Sequence, residues 1–85
     1  MVLFIELTDI IERGYTMTDV NLFKYHMATN HDTNKTLAAV LGITPATLSL
    51  KINNRREFKA GEIRTICSRW HLDNDTSEKI FFKEG

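Results

Sequence analysis

The chain has 85 residues, 42% of them hydrophobic and 26% charged, with 11 basic side chains balancing 11 acidic ones. That length suits one small domain with a modest core, and the single cysteine, Cys67, excludes an internal disulfide and suits a reducing cytoplasm. No apolar run approaches a membrane span, and the apolar start, Val2 to Ile5, lacks a basic flank and is cut short by Glu6 and Asp9, against a secretory signal.

Residues 1–16 stand apart from the remainder of the chain. Leu3, Leu7, Ile10 and Ile11 fit an amphipathic helix, Val2 to Ile5 fits a short strand equally well, and Gly14 interrupts the segment. Two readings are open. Met17 can be the natural start, because Glu12-Arg13-Gly14 can be encoded by a purine-rich stretch resembling a ribosome-binding site. Alternatively, the segment is a real arm that packs on the domain or on a second chain. The domain proper is expected over 17–85.

A first helix is expected from a Thr18 or Asp19 cap to about Thr29, with Val20, Phe23 and Met27 facing the core and Leu22 beside them. Asp32 or Thr33 caps the second helix, in which Leu37, Ala38 and Leu41 form a narrow apolar stripe. Gly42 comes next, where a helix ends most easily in a left-handed residue, and Ile43 is the lone apolar residue of a tight turn. Thr44 then offers a hydroxyl cap and Pro45 sits at the first helical position, where its missing N–H costs nothing. Leu48 and Ile52 give this third helix one apolar edge, and Asn53-Asn54 end it. Phe58 is expected to fold back into the core. Ile63, Ile66, Cys67 and Trp70 mark a fourth amphipathic helix, closed by Leu72, and Asp75-Thr76-Ser77-Glu78 has the form of a capping box opening a fifth with Ile80 and Phe81. Five short helices with brief connections make an all-α domain.

The pattern Leu37-Ala38, Gly42-Ile43-Thr44, Thr47-Leu48 and Asn53-Asn54 resembles the Cro/repressor-type (XRE-like) helix-turn-helix family of bacterial and phage regulators. Phe58 and Phe81-Phe82 add a likeness to small phage-encoded Cro-like members, and the resemblance covers roughly residues 18–83. It implies a five-helix, lambda-repressor-like domain that binds a double-stranded DNA operator as a homodimer in the cytoplasm of a bacterial host. By position, the family's base-contacting surface falls on Thr44, Ala46, Thr47, Ser49 and Leu50, beside Pro45, with the third helix in the major groove. The family's phosphate contacts fall on Asn34 and Lys35 at the start of the second helix, and on Lys51, Asn53, Asn54, Arg55 and Arg56; Lys59 adds charge nearby. The helix departs from the best-known members in carrying no Gln and no Arg, so bidentate reading of adenine or guanine by Pro45 or Ala46 is chemically impossible. Methyl contacts from Ala46 or Leu50 and hydroxyl contacts from Thr47 and Ser49 would have to serve. Leu50 packing in the core or a dimer seam is the competing reading.

Charge distribution bears on the same point. Residues 34–72 carry seven cations (Lys35, Lys51, Arg55, Arg56, Lys59, Arg64 and Arg69) against Glu57 and Glu62, a net of +5, whereas the flanking segments are acidic. His26, His31 and His71 lack metal-ligand spacing, Cys67 reads as a small core residue, and no phosphate loop, nucleophile elbow or carboxylate pair is present. No catalytic role, cofactor, metal, small-molecule ligand or membrane contact is therefore expected. The runner-up function is an antirepressor-like module that pairs with a repressor protein, which the zero net charge and the weak base-reading set favour.

Overall fold

The computed structural model describes residues 17–83, so the readings of residues 1–16 as helix, strand or arm lie outside the described residues. Those described form five helices and no strand: α1 (Val20–Thr29), α2 (Asn34–Leu41), α3 (Pro45–Ile52), α4 (Ala60–Arg69) and α5 (Asn74–Phe81). No helix among them is long and apolar enough to cross a membrane.

Four of the five helices begin where a side chain can accept from an orphan N–H. Asp19 accepts from Leu22, Thr33 from Thr36, Thr44 from Thr47 and Asp73 from Thr76. The last of these corrects the expected box at Asp75–Glu78: α5 starts at Asn74, because Asp73 reaches the Thr76 N–H at 2.7 Å. That bond, made to the ionised form, holds the Asp73 carboxyl below its ordinary pKa. Lys59 has no acceptor to offer at the start of α4. Instead Glu62 reaches back, its Oε1 accepting from the Lys59 N–H at 2.8 Å.

The first four helices share one way of ending. A left-handed residue follows or forms the cap, at His31, Gly42, Asn54 and His71, with φ of 58°, 71°, 62° and 52°. In every case the next N–H returns five residues: Asp32 to Met27, Ile43 to Ala38, Arg55 to Leu50 and Leu72 to Cys67. This closes the terminal carbonyls in the manner of a Schellman turn. Histidine, like asparagine, tolerates that backbone better than most residues, so two of the three histidines have a conformational role. At Gly42 the φ is the constraint, since an added Cβ would meet nothing within 4 Å.

Phe23 sits at the centre of the core. Its ring stacks on Phe58 at 5.7 Å and meets Trp70 and Phe81 edge-on at 5.1 and 5.9 Å. Leu37, Ala38, Leu48, Ile52, Ile63, Ile66 and Ile80 complete the buried set, with Val20, Met27, Leu41, Ile43, Cys67 and Leu72 packed around it. Phe58, alone in its loop, is buried as its isolation predicted. Cys67 lies 3.1 Å from the Ser77 hydroxyl, and burial pushes its thiol pKa up.

Ala38 is 1% exposed where α2 packs on α3. Ala38→Leu should therefore overpack this crossing and cost about 1–3 kcal/mol, read as a lowered denaturation midpoint. Unchanged stability would mean that the two helices do not approach closely at Ala38.

Candidate nucleic-acid interface

α3 turns Leu48 and Ile52 inward and leaves Pro45, Ala46 and Leu50 at the surface, with Thr47 and Ser49 half-buried. Leu50 is 42% exposed, so it lies outside the core of this chain. The Thr44 hydroxyl accepts from the Thr47 N–H at 3.1 Å and lies 3.0 Å from the Thr47 hydroxyl, so these two side chains first serve the helix start. All five residues assigned to base contact thus lie on one short helix and its cap. Together they offer two apolar side chains and three hydroxyls.

The residues assigned to phosphate contact divide into two groups. Asn34 is the first residue of α2, where the helix N–H groups open outward, and exposed Lys35 is next to it. Arg55 and Arg56 are exposed in the loop after α3, and their N–H groups both point back to the Leu50 carbonyl, at 2.8 and 3.3 Å. Lys59, also exposed, stands just beyond.

Lys51, Asn53 and Asn54 are placed otherwise. Lys51 is 5% exposed and its ammonium meets Glu62 Oε1 at 2.6 Å, so its charge is spent inside the protein. Glu62 accepts from both Lys51 and the Lys59 backbone, which ties the end of α3 to the start of α4. Asn53 donates its amide to the Ser49 carbonyl at 2.9 Å, closing its own helix. The Asn54 amide grips the backbone of Thr18: it accepts from the Thr18 N–H at 2.7 Å and donates to the Thr18 carbonyl at 2.9 Å. Of the three, Lys51 alone is buried; Asn53 and Asn54 are exposed residues whose amides bond to backbone.

A further polar centre lies where the sequence pattern suggested only a helix cap. Asp32, whose side chain is 3% exposed, takes a bidentate grip from Arg69, Nε to Oδ2 at 2.8 Å and Nη2 to Oδ1 at 2.9 Å. Trp70 Nε1 donates to Oδ2 at 2.7 Å and the Thr36 hydroxyl to Oδ1 at 2.8 Å. Asp32 is therefore not the cap of α2, a role that Thr33 fills; it bolts the α1–α2 connection to the end of α4. The Arg69 guanidinium holds its carboxyl well below the usual carboxylate range, with Trp70 and Thr36 adding to the effect against the opposing cost of burial. The clue available in one dimension was slight: an acid directly before a good cap, and an Arg-Trp pair closing an amphipathic helix.

With Lys51 and Arg69 neutralised internally, Lys35, Arg55, Arg56 and Lys59 carry the exposed charge around α2 and α3. Among the described residues no cluster of His, Cys, Asp and Glu could hold a metal ion. No protein-family model, curated protein or solved structure matches this chain.

Proposed function

We propose that this chain is a sequence-specific DNA-binding regulator of the Cro/repressor type, with α2 and α3 as its helix-turn-helix. The observation that carries the reading is the pairing of two packed helices through left-handed Gly42, with the small and hydroxyl side chains of α3 turned outward between Asn34-Lys35 and Arg55-Arg56. In such a unit α3 enters the major groove, while the start of α2 and the loop after α3 meet phosphates on either side. The chemistry on α3 suits thymine methyls and single hydrogen bonds, so the preference among sequences is modest. Two copies would read two half-sites about one helical turn, roughly 34 Å, apart or a multiple of that.

Two sets of substitutions test this. Arg55→Ala and Arg56→Ala should weaken binding to operator and random DNA alike, each lowering the slope of log affinity against log salt by about one unit. Ser49→Ala and Leu50→Ala should instead reduce the preference for operator over random sequence, toward the low end of the roughly 1–3 kcal/mol typical of a base contact. A gel-shift titration on the region upstream of the chain's own gene supplies the operator. If wild-type protein shows no preference at low salt, this reading fails.

The 42% exposure of Leu50 on an α3 without Gln or Arg favours a second reading, an antirepressor that pairs with a repressor protein. On that reading the Leu50→Ala substitution abolishes capture of the repressor, and DNA affinity stays weak and unspecific.

A further inference from the structure

The loop that carries Arg55 and Arg56 is anchored on both sides of them. On one side Phe58 is buried in the core and stacks on Phe23. On the other, Asn54 holds the backbone of Thr18, accepting from its N–H at 2.7 Å and donating to its carbonyl at 2.9 Å. Thr18 is a fixed point, because it is buried and its neighbours are tied to the end of α5. The Lys83 N–H donates to the Met17 carbonyl at 2.9 Å and the Asp19 N–H to the Ile80 carbonyl at 2.7 Å. Between the two anchors lie Arg55, Arg56 and Glu57, all exposed.

His31, Gly42, Asn54 and His71 share a positive φ and the returning bond of the following N–H. Glycine serves that backbone with the least strain, so the φ of 62° at Asn54 does not by itself require an amide. The amide adds what glycine lacks: a donor and an acceptor, both paired with a backbone thirty-six residues away. Directly after it, the Arg55 and Arg56 N–H groups turn to the Leu50 carbonyl. The backbone that leads to the two guanidinium groups therefore starts from a residue held on two sides, by its own helix and by Thr18.

We propose that Asn54 is a positioning residue for phosphate binding: through Thr18 it orders the Arg55-Arg56 backbone before an anion arrives. The inference rests on the DNA-binding reading above, and it places Asn54 behind the phosphate contact rather than in it. An exposed stretch loses conformational freedom when it grips a ligand, and that loss weakens binding. A stretch already ordered on folding loses less. Without the amide the arginines still reach phosphate, but binding must then order them. Affinity should fall, while the slope of log affinity against log salt, set by the number of phosphate contacts, stays close to that of wild type. Loss of an arginine lowers the slope instead.

Asn54→Gly in the full chain tests this, since glycine keeps the left-handed turn and removes the amide. Ile66→Val, which trims the buried core in α4, controls for lost stability. Without DNA, the heteronuclear NOEs of the Arg55 and Arg56 amides should drop in Asn54→Gly and hold in Ile66→Val. On a random-sequence duplex at low salt, Asn54→Gly should weaken binding about ten-fold in the wild-type background. In the R55A/R56A background the same change should have almost no effect, because Asn54 acts through the arginines. Ordered amides in Asn54→Gly overturn the proposal. An equal loss in both backgrounds also overturns it, marking a merely structural role, and neither result touches the DNA-binding reading. If wild type binds no DNA, the proposed function falls, and the amide NOEs alone decide whether Asn54 orders the loop.

Discussion

Asp32→Ala should be among the most damaging single changes in this protein, lowering stability by about 3–5 kcal/mol in chemical denaturation. The mechanism is the asymmetry of buried polar groups: removing the carboxylate leaves a buried donor without an acceptor, while the 40%-exposed Arg69 can turn to water. Here the Trp70 Nε1–H would be orphaned in the core and the Arg69 guanidinium would lose a bidentate acceptor. The α1–α2 connection would also come loose from α4, while the Thr33–Thr36 capping bonds at the start of α2 remain. Asp32→Asn keeps the shape and should cost less, since it still accepts from one donor.

The same carboxylate sets a pH dependence. Its pKa in the folded protein lies below the unfolded value of about 3.9. Between those two values the unfolded chain binds the proton and the folded chain does not, so stability rises with pH across this window. The contribution is complete above about pH 4 and is lost progressively as pH falls through the window. Wild type should therefore lose stability steeply below pH 4, and Asp32→Asn should show a flatter profile. Parallel profiles in the two proteins would remove Asp32 from this role.

The Lys51–Glu62 pair offers the second large effect and a sharper contrast. Glu62→Ala strands a 5%-exposed ammonium and removes the acceptor of the Lys59 N–H, a loss of about 3 kcal/mol. Lys51→Met should cost less, about 1–2 kcal/mol, because Glu62, 11% exposed, loses its cation but keeps its bond from the Lys59 N–H while the methionine fills the space of the lysine stem. If neither change lowers stability, the pair is not buried in solution. The contrast also bears on DNA: Lys51→Met should leave the salt dependence of binding unchanged, in distinction to Arg55→Ala.

Helix positions were legible in the residues because each has a local cause. Caps at Thr33 and Thr44, proline at the first position of α3, the left-handed break at Gly42 and the apolar spacing of Ile63, Ile66 and Trp70 act within one or two turns of chain. The buried set came from the same spacing, and Phe58 from being the lone apolar residue in its loop. Where two local causes compete, spacing alone does not choose between them: Asp73 lies two residues ahead of an equally plausible acid, and it wins because a proper cap reaches the Thr76 N–H.

What polar side chains do was decided by tertiary structure. Lys51, Asn53 and Asn54 stand in a basic, amide-rich run that reads as a phosphate grip, yet Lys51 turns into Glu62 eleven residues on and Asn54 reaches Thr18 across thirty-six. Asp32 reads as a cap and becomes a buried acceptor for Arg69 and Trp70, thirty-seven and thirty-eight residues away. Local periodicity carries no information about such partners. A charged or amide group can satisfy itself with water, with its own helix or with a distant side chain, and these choices differ little in free energy until packing removes the water. The apolar pattern therefore determined which helices form and which faces they bury, whereas the closed fold alone decided which charges remain at the surface to meet a partner.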